Sequence, residues 1–314
     1  MENTAFTTKS SAPEMTRKIL FIVNPNAGKK ISEQVISIIK RGFPKEIQYQ
    51  IIIWSDKNNF EEIDYLIHSG HFTEAVAVGG DGTVNRVAKS LLGKNMTLGI
   101  VPVGSGNGLA RTLGLSMKTE EVIKQIADGK KQMMDVGMVN GRPFLCTSGI
   151  GFDAHIGNLF ATSAKRGLQS YVKITVSELF RYRAKTYTLK LNGKEITRKA
   201  FLITVANSGQ YGNDFYIAPQ ASIQDGLFHI AILKPFNPIN VWAILAKILR
   251  RRAHLSSSIE THVASELSII RQNSDTIHFD GEPAMESPEV IYKNMHSALS
   301  VIVGEKFKTT QHPV

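Results

Sequence analysis

Residues 75–92, AVAVGGDGTVNRVAKSLL, pass from small and β-branched apolar residues through Gly79-Gly80-Asp81-Gly82-Thr83 into a segment with amphipathic-helix spacing from Val84 onward. That order predicts a buried strand, a glycine turn and a helix N-terminus. N–H groups left over by the turn and by the first helical turn point one way and suit phosphate oxygens, while three glycines let a ligand approach the main chain. Asp81 is the odd member of the set. A bare carboxylate repels a phosphate, so its place makes chemical sense when a divalent cation lies between them, and Mg²⁺ typically takes one or two carboxylates plus substrate phosphates. An ordinary β-turn before a helix also accounts for the loop taken alone.

On the N-terminal side, Lys18 to Val23 (KILFIV) is a strand that feeds Asn24-Pro25-Asn26-Ala27-Gly28-Lys29-Lys30, and Ile31 to Ile39 is helical. This is no Walker A loop, because the first glycine is missing and Lys30 stands where Ser or Thr belongs. Ile47 to Trp54 gives a further strand and Phe60 to Ser69 a further helix, so the order up to Leu92 is βαβαβα. On the C-terminal side, Thr97 to Val103 is a fourth strand, running into Gly104-Ser105-Gly106-Asn107-Gly108 before a helix that opens at Leu109. Such alternation predicts a parallel sheet with helices on both faces and ligands beyond the carboxyl ends of the strands. Three phosphate-compatible turns then share one sheet edge.

The length of 314 residues favours two domains. Charge is regional: Phe160 to Arg252 holds fifteen Lys and Arg against Glu178, Glu195, Asp214 and Asp225, a net of +11 where the whole chain is +10. A basic field of this kind favours phosphates, on nucleic acid or on an anionic membrane, and a solvated surface explains any single cation. One cysteine, Cys146, excludes an intrachain disulfide and a Cys-rich metal site. No apolar run reaches the roughly 18 residues of a membrane span, and Met1 to Thr16 lacks a signal-peptide core. The expectation is a soluble cytoplasmic protein with a disordered N-terminus over 1–16.

Beyond Gly114 the pattern becomes one of short β-branched or alternating runs: Gly137 to Thr147, Thr186 to Leu191, Lys199 to Val205, Leu227 to Leu233, Ile259 to Ile270 and Thr276 to Phe279. An all-β second domain follows. Two helical insertions carry much of the charge. Ala164 to Arg183 places Leu168, Tyr171, Val172, Thr175 and Leu179 on one stripe, with Lys165, Arg166, Lys173, Arg181 and Arg183 around it. Val241 to Arg252 combines Trp242, Leu245 and Leu249 with Lys247, Arg250, Arg251 and Arg252 and contains no acid. Either helix reads as a membrane-surface element or as an apolar face packed on the β domain with a solvated basic side.

Asn24-Pro25-Asn26-Ala27-Gly28, Gly79 to Asn85 and Pro102-Val103-Gly104-Ser105-Gly106-Asn107 together resemble the nucleotide-binding half of the diacylglycerol kinase catalytic family, which includes sphingosine and ceramide kinases and bacterial soluble lipid kinases. The resemblance continues through Ser148-Gly149-Ile150-Gly151-Phe152-Asp153, Ala218-Pro219 with Asp225-Gly226, and Phe279-Asp280-Gly281-Glu282-Pro283, from about Lys18 to about Val303. It implies an α/β nucleotide-binding domain with a parallel sheet, of the NAD kinase and diacylglycerol kinase kind, and a larger, mostly β, sandwich-like domain. The expected division is 17–136 for the nucleotide domain, 137–285 for the β-rich lipid-substrate domain, and 286–308 returning to the first.

The implied activity is ATP-dependent, Mg²⁺-requiring transfer of a phosphoryl group to a hydroxyl of a neutral lipid, diacylglycerol foremost. Asn24, Gly79, Gly80, Gly82, Thr83, Gly104, Ser105, Gly106 and Asn107 would hold the phosphates, with Asp81 serving the metal. Glu282 would be the base that deprotonates the lipid hydroxyl, and domain closure would unite it with Asp81. Without the resemblance, DGEP reads as a turn with exposed acids. By the same resemblance Asp225, with Ser222 and Leu227, would hold a structural Mg²⁺, and Asp135 would join a water network from that metal to the active site; without it, Asp225-Gly226 is a turn.

Trp54-Ser55-Asp56-Lys57-Asn58-Asn59 departs from the family's Thr-rich and Gly-His-Ala pattern, which removes the expectation of adenine or ribose contacts there. His155, His278 and His296 read as ordinary polar positions, and GSGNG around Ser105 is not a nucleophile elbow. Phosphorylation of sphingosine, ceramide or another lipid stays open as an alternative. An NAD kinase shares the Gly-Gly-Asp-Gly-Thr loop, yet the chain has no Asn-Glu dipeptide for the dinucleotide; a silent lipid or nucleotide binder fits poorly with retention of both Asp81 and Glu282. The expected partners are a lipid substrate and an anionic membrane met peripherally. A homodimer is allowed, and nucleic acid is not expected because no reader module accompanies the basic region.

Overall fold

The structure, a computed structural model, describes residues 17–27, 29–54, 60–163, 168–209 and 215–309. The expectations for 1–16, Gly28, Ser55 to Asn59, residues 164–167 of the first basic helix, and the side chains of Leu168 and Tyr171 lie outside the described residues. The first half runs β1 (Lys18–Val23), α1 (Lys29–Gly42), β2 (Gln48–Ile53), α2 (Phe60–His68), β3 (Glu74–Gly79), α3 (Asp81–Leu91), β4 (Thr97–Pro102), α4 (Gly108–Thr112) and α5 (Thr119–Asp128). Strands β1, β3 and β4 are buried almost throughout, as parallel strands covered on both faces must be, which is why they read as unbroken apolar runs. Buried Glu74 at the start of β3 is balanced by two cations, Arg17 at 2.7 Å and Lys131 at 2.9 Å.

The second half continues with β5 (Lys131–Val139), β6 (Arg142–Phe144), β7 (Thr147–Gly151), α6 (Phe152–Thr162), α7 (Leu168–Leu179), β8 (Lys185–Leu191), β9 (Lys194–Ala200), β10 (Leu202–Ala206), β11 (Phe228–Leu233), α8 (Val241–Leu249), β12 (Ile259–Ala264), β13 (Glu266–Ile270), β14 (Asp275–Phe279), β15 (Glu282–Glu286) and β16 (Glu289–Ile302). Two sheets result. One runs β2-β1-β3-β4-β16-β13-β8-β9, with β5 on β16 and β6 on β5; the other runs β12-β11-β10-β7-β14-β15. The first is parallel from β2 to the β4–β16 pair and antiparallel beyond, while the second is antiparallel throughout. The expected α/β unit plus sandwich is therefore present, with one refinement: the α/β sheet is continuous with one layer of the sandwich. Apolar side chains of β8, β13 and β16 face those of β10, β11 and β14 across the sandwich interior, Tyr187, Leu189, Ile269 and Tyr292 among them against Ile203, Phe228 and Ile277.

β16 makes that continuity. Its first residues pair with β13, and Ser300 and Val301 pair parallel with Thr97 and Leu98 of β4, so the returning segment enters the nucleotide-side sheet. β5 accompanies it along both parts, with a register shift between Met295 and Leu299. Asp135 lies opposite that irregularity. Its fully buried carboxylate accepts N–H bonds from Ser297 (2.8 Å) and Gly226 (2.6 Å) and faces His296 Nδ1 at 2.8 Å, while Ser297 adopts φ +50°. Its oxygens hold the strand bulge between the two halves.

Several element limits differ from the sequence reading. α3 begins at Asp81 rather than Val84, Ile259 to Ile270 breaks at Ser265 into two strands, and Thr119 to Asp128 forms a helix that the reading lacked. The two basic helices are shorter than expected, ending at Leu179 and Leu249, and Arg251 leaves helical geometry with φ +59°. Val172 of the expected α7 stripe is exposed, and in α8 the buried residues are Ile244 and Ile248 rather than Trp242 and Leu249.

Candidate active site

β3 delivers the chain to Gly79, and the turn hands it directly to α3, whose first residue is Asp81. An added Cβ on Gly79 collides with the Thr83 side chain, so only glycine leaves Thr83 its seat. Thr83 Oγ1 accepts a bond from Asn24 Nδ2 (2.9 Å), which ties the loop after β1 to the loop after β3. The loop after β4 is tied in turn. A Cβ on Gly104 falls 2.6 Å from Gly80 Cα, and one on Gly106 falls 2.6 Å from Asp81 Oδ2. The two loops touch main chain to main chain, which side chains at these positions forbid.

Asp81 is occupied in a way the sequence did not announce. Its Oδ2 accepts the Asn107 N–H and its Oδ1 the Gly108 N–H, both at 2.9 Å, so the carboxylate caps α4 from the neighbouring loop. Asn107, in the left-handed region at φ +52°, folds its side chain back on Gly104, donating to the carbonyl at 2.8 Å and accepting from the N–H at 3.1 Å. Ser105 and Gly82 remain exposed beside this frame. Gly104→Ala is expected to lower the stability of the chain by about 1–3 kcal/mol, because the clash is with backbone that cannot rotate away. Thermal melting of the variant checks this, and an unchanged melting temperature contradicts the packing described.

Glu282 comes from the other sheet. It opens β15 after the two-residue turn Asp280-Gly281, whose φ values of +51° and +90° fit a tight hairpin of the Asp-Gly type. A methyl group built on Gly82 falls 3.0 Å from Glu282 Oε1, so the two expected halves adjoin in this structure and need no closure to meet. Asp280, which reads as an exposed turn acid when the resemblance is set aside, is instead half-buried and accepts N–H bonds from Leu145, Cys146 and Thr147 at 2.7, 2.7 and 2.8 Å. Burial pushes its pKa up, and the three donors pull it back. Beneath the turn, buried His278 sits 3.1 Å from Asp153 Oδ2 by Nε2, while its Nδ1 accepts the Gly281 N–H at 3.3 Å. A Cβ on Gly149 collides with both partners. The SGIGFD and HFDGE segments are thus one construction that fixes the hairpin carrying Glu282.

A narrow cavity runs between the halves, lined by Asp81, Asn85, Leu109, Cys146, Thr147 and Asp280. Burial, with Asp280 and Asp81 nearby, raises the Cys146 thiol pKa well above its ordinary value, so this cysteine stays a neutral wall. Glycine cradles, first-turn N–H groups and carboxylates on one edge fit a nucleotide triphosphate with Mg²⁺: the loops would hold phosphates, and Asp81 keeps lone pairs for a hydrated cation.

The second expected metal position lies at Asp225. Asp225 Oδ1 accepts the Leu227 N–H (3.0 Å), Oδ2 lies 3.5 Å from His229, and Ser222 Oγ accepts the Gln224 N–H (3.1 Å). Among the described residues no three acidic, histidine or cysteine side chains converge as a metal group. Accepting these bonds leaves lone pairs on the Asp225 carboxylate, as it does on Asp81, so the expected Mg²⁺ position at Asp225 with Ser222 and Leu227 stays a proposal. His155 and His296, like His278, face carboxylates: Glu178 at 2.9 Å and Asp135 at 2.8 Å.

A model of the diacylglycerol kinase catalytic domain matches residues 18–139, and a model of the YegS C-terminal NAD kinase beta sandwich-like domain matches residues 147–303, half of the chain. The chain belongs to the diacylglycerol kinase catalytic family. It is 28% identical over 218 residues to a diacylglycerol kinase of Bacillus subtilis, covering 67% of this chain and 71% of that one. It is 26% identical over 230 residues to a probable YegS-like lipid kinase of Chromohalobacter salexigens, covering 71% and 72%. A further Synechocystis relative is spanned over 52% of its length. A crystal structure of a putative diacylglycerol kinase from Bacillus anthracis shares the fold at a TM-score of 0.74 and 22% identity, over 92% of this chain and 98% of that one. As a member of the diacylglycerol kinase family the chain is a phosphotransferase with an alcohol acceptor.

Proposed function

We propose that this enzyme transfers the γ-phosphoryl group of ATP to the free hydroxyl of a neutral lipid, diacylglycerol foremost, at an anionic membrane surface that it visits peripherally. The observation that carries the reading is Glu282 Oε1 lying over Gly82, an acid from the β-rich half set against the phosphate-compatible edge of the other. In this reading Asn24, Gly79, Gly80, Gly82, Thr83, Gly104, Ser105, Gly106 and Asn107 receive the phosphates, and Mg²⁺ beside Asp81 supplies charge to offset them when bound. Glu282 takes the proton of the lipid hydroxyl as its oxygen bonds to the γ-phosphorus; the bond from that phosphorus to the β,γ-bridging oxygen breaks, giving a phosphomonoester and ADP. We take the nucleotide-binding unit as 17–136 with 286–308 and the lipid-binding unit as 137–285.

Asp280 and the Asp153–His278 pair act on this chemistry by holding the hairpin. His278→Ala is expected to lower kcat by about ten- to a hundredfold, since small displacements of a reacting group are costly in rate, with nucleotide affinity unchanged. Steady-state kinetics alongside nucleotide titration separate the two effects. The acceptor is tested by incubating the purified chain with labelled ATP and Mg²⁺ against diacylglycerol, sphingosine, ceramide and NAD. Label on diacylglycerol supports the proposal, label on sphingosine or ceramide moves it to those lipids, and label on NAD alone or on none overturns it. Among the described residues no helix is long and apolar enough to cross a membrane, which fits a substrate met from the aqueous side.

A further inference from the structure

α8 is apolar on two faces, and only one of them is covered. Ile244 and Ile248 turn inward and join Phe152, Ile156, Leu233 and Ala253 on the outer side of the six-stranded sheet. Trp242, Leu245 and Leu249, at spacings of three and four, form a second stripe about a third of a turn round the helix, with Leu245 half-buried at its edge. Trp242 is 75% exposed and Leu249 57% exposed, and Ile239 before the helix (80%) and Leu255 after it (61%) are exposed as well. A surface helix normally turns a polar face to water, and a contiguous exposed apolar patch marks a contact.

The rim of this patch has one sign. Lys247, Arg250, Arg251 and Arg252 lie at its C-terminal end, and no Asp or Glu occurs between Asp225 and Glu260. Arg251 sits in the left-handed region at φ +59°, with its guanidinium 4.1 Å over the Tyr216 ring and bonded to the Tyr216 hydroxyl at 2.7 Å; the turn thereby presents consecutive arginines beyond the helix end. An aromatic and aliphatic stripe with a cluster of cations at one end suits the boundary between acyl chains and anionic headgroups. A second copy of the chain fits worse, because a face meeting itself would bring this cluster against its equal with no carboxylate in the segment to pair it.

We propose that α8 with its flanking turns, residues 239–255, is the surface by which the enzyme inserts into an anionic lipid bilayer. The proposal rests on the lipid kinase reading for its choice of a bilayer. α6 links the patch to the site: Phe152 and Ile156 share the apolar cluster under α8, and a methyl group built on Gly157 of the same helix falls 3.7 Å from the Gly281 carbonyl oxygen, one residue before Glu282. The docked helix and the proposed base are then parts of one packed unit on the same sheet.

The test uses the full chain with vesicles of phosphatidylcholine alone and of phosphatidylcholine with phosphatidylserine. Flotation is expected only with the anionic vesicles, and the emission of Trp242, read in a Trp54→Phe background, is expected to move to shorter wavelength on binding. Trp242→Ala/Leu249→Ala is expected to abolish that binding, and Arg250→Gln/Arg252→Gln to weaken it about thirtyfold, while activity on a short-chain, micelle-dispersed diacylglycerol stays at the wild-type level. Undiminished vesicle binding by both variants overturns the proposal, as does loss of a dimer in sedimentation with lipid binding intact. Loss of vesicle binding in a chain that phosphorylates no lipid supports the docking surface and overturns the kinase reading, so the two failures are distinguishable.

Discussion

Glu282→Gln is expected to lower phosphoryl transfer by about a hundred- to ten-thousandfold, the range that a positioned base contributes, with nucleotide binding and melting temperature close to wild type. The substitution keeps the shape of the side chain and removes only its capacity to take a proton. Glu282 is exposed; Asp280, two residues earlier, carries the three backbone bonds that seat the hairpin. The contrast between the two acids is itself informative. Asp280→Ala is expected to lose activity together with stability, because three N–H groups lose their acceptor, whereas Glu282→Gln loses activity alone. Activity of Glu282→Gln within a few-fold of wild type removes Glu282 from the mechanism.

Asp81→Ala carries the second large effect and is expected to act twice. It removes the carboxylate set between the loops after β3 and β4, so Mg²⁺-nucleotide binding and transfer are expected to fall below detection. It also strips the acceptor from the Asn107 and Gly108 N–H groups, both largely buried, at about 1–3 kcal/mol for each group left unsatisfied. Asp81→Asn keeps one carbonyl acceptor for α4 while losing the charge. Its melting temperature is therefore expected to lie between those of wild type and Asp81→Ala, with activity as low as in the alanine variant. Calorimetric titration of Mg²⁺-nucleotide with thermal melting of both variants checks this; equal melting of all three proteins contradicts the cap.

The α/β half was legible because its signals are local. Apolar runs of β1, β3 and β4 end in glycine and asparagine turns, and glycine at Gly79, Gly104 and Gly106 is forced by contacts among neighbouring loops. What escaped the sequence is non-local or two-sided. Asp280 looks like a solvated turn acid because its donors lie 133 to 135 residues earlier, and the His278–Asp153 pair spans 125 residues. The continuity of the first sheet through β16 depends on a register shift that no periodicity records. In α8 the sequence groups Trp242, Leu245 and Leu249 on one stripe correctly, yet with Ile244 and Ile248 also apolar it gives no rule for which stripe faces the body. The reading of Asp225 as a metal ligand came from resemblance; locally its carboxylate accepts the Leu227 N–H and lies 3.5 Å from His229.

The central claim, that the edge bearing Asp81 and the hairpin bearing Glu282 act on a single lipid hydroxyl, is tested most directly by identifying the product of the purified chain with ATP, Mg²⁺ and micellar diacylglycerol by phosphorus NMR and mass spectrometry. The account predicts a phosphomonoester on the free hydroxyl of the diacylglycerol, formed in step with ADP and absent with Glu282→Gln. ADP formed with inorganic phosphate and no lipid phosphomonoester, or the same product formed undiminished by Glu282→Gln, would contradict it.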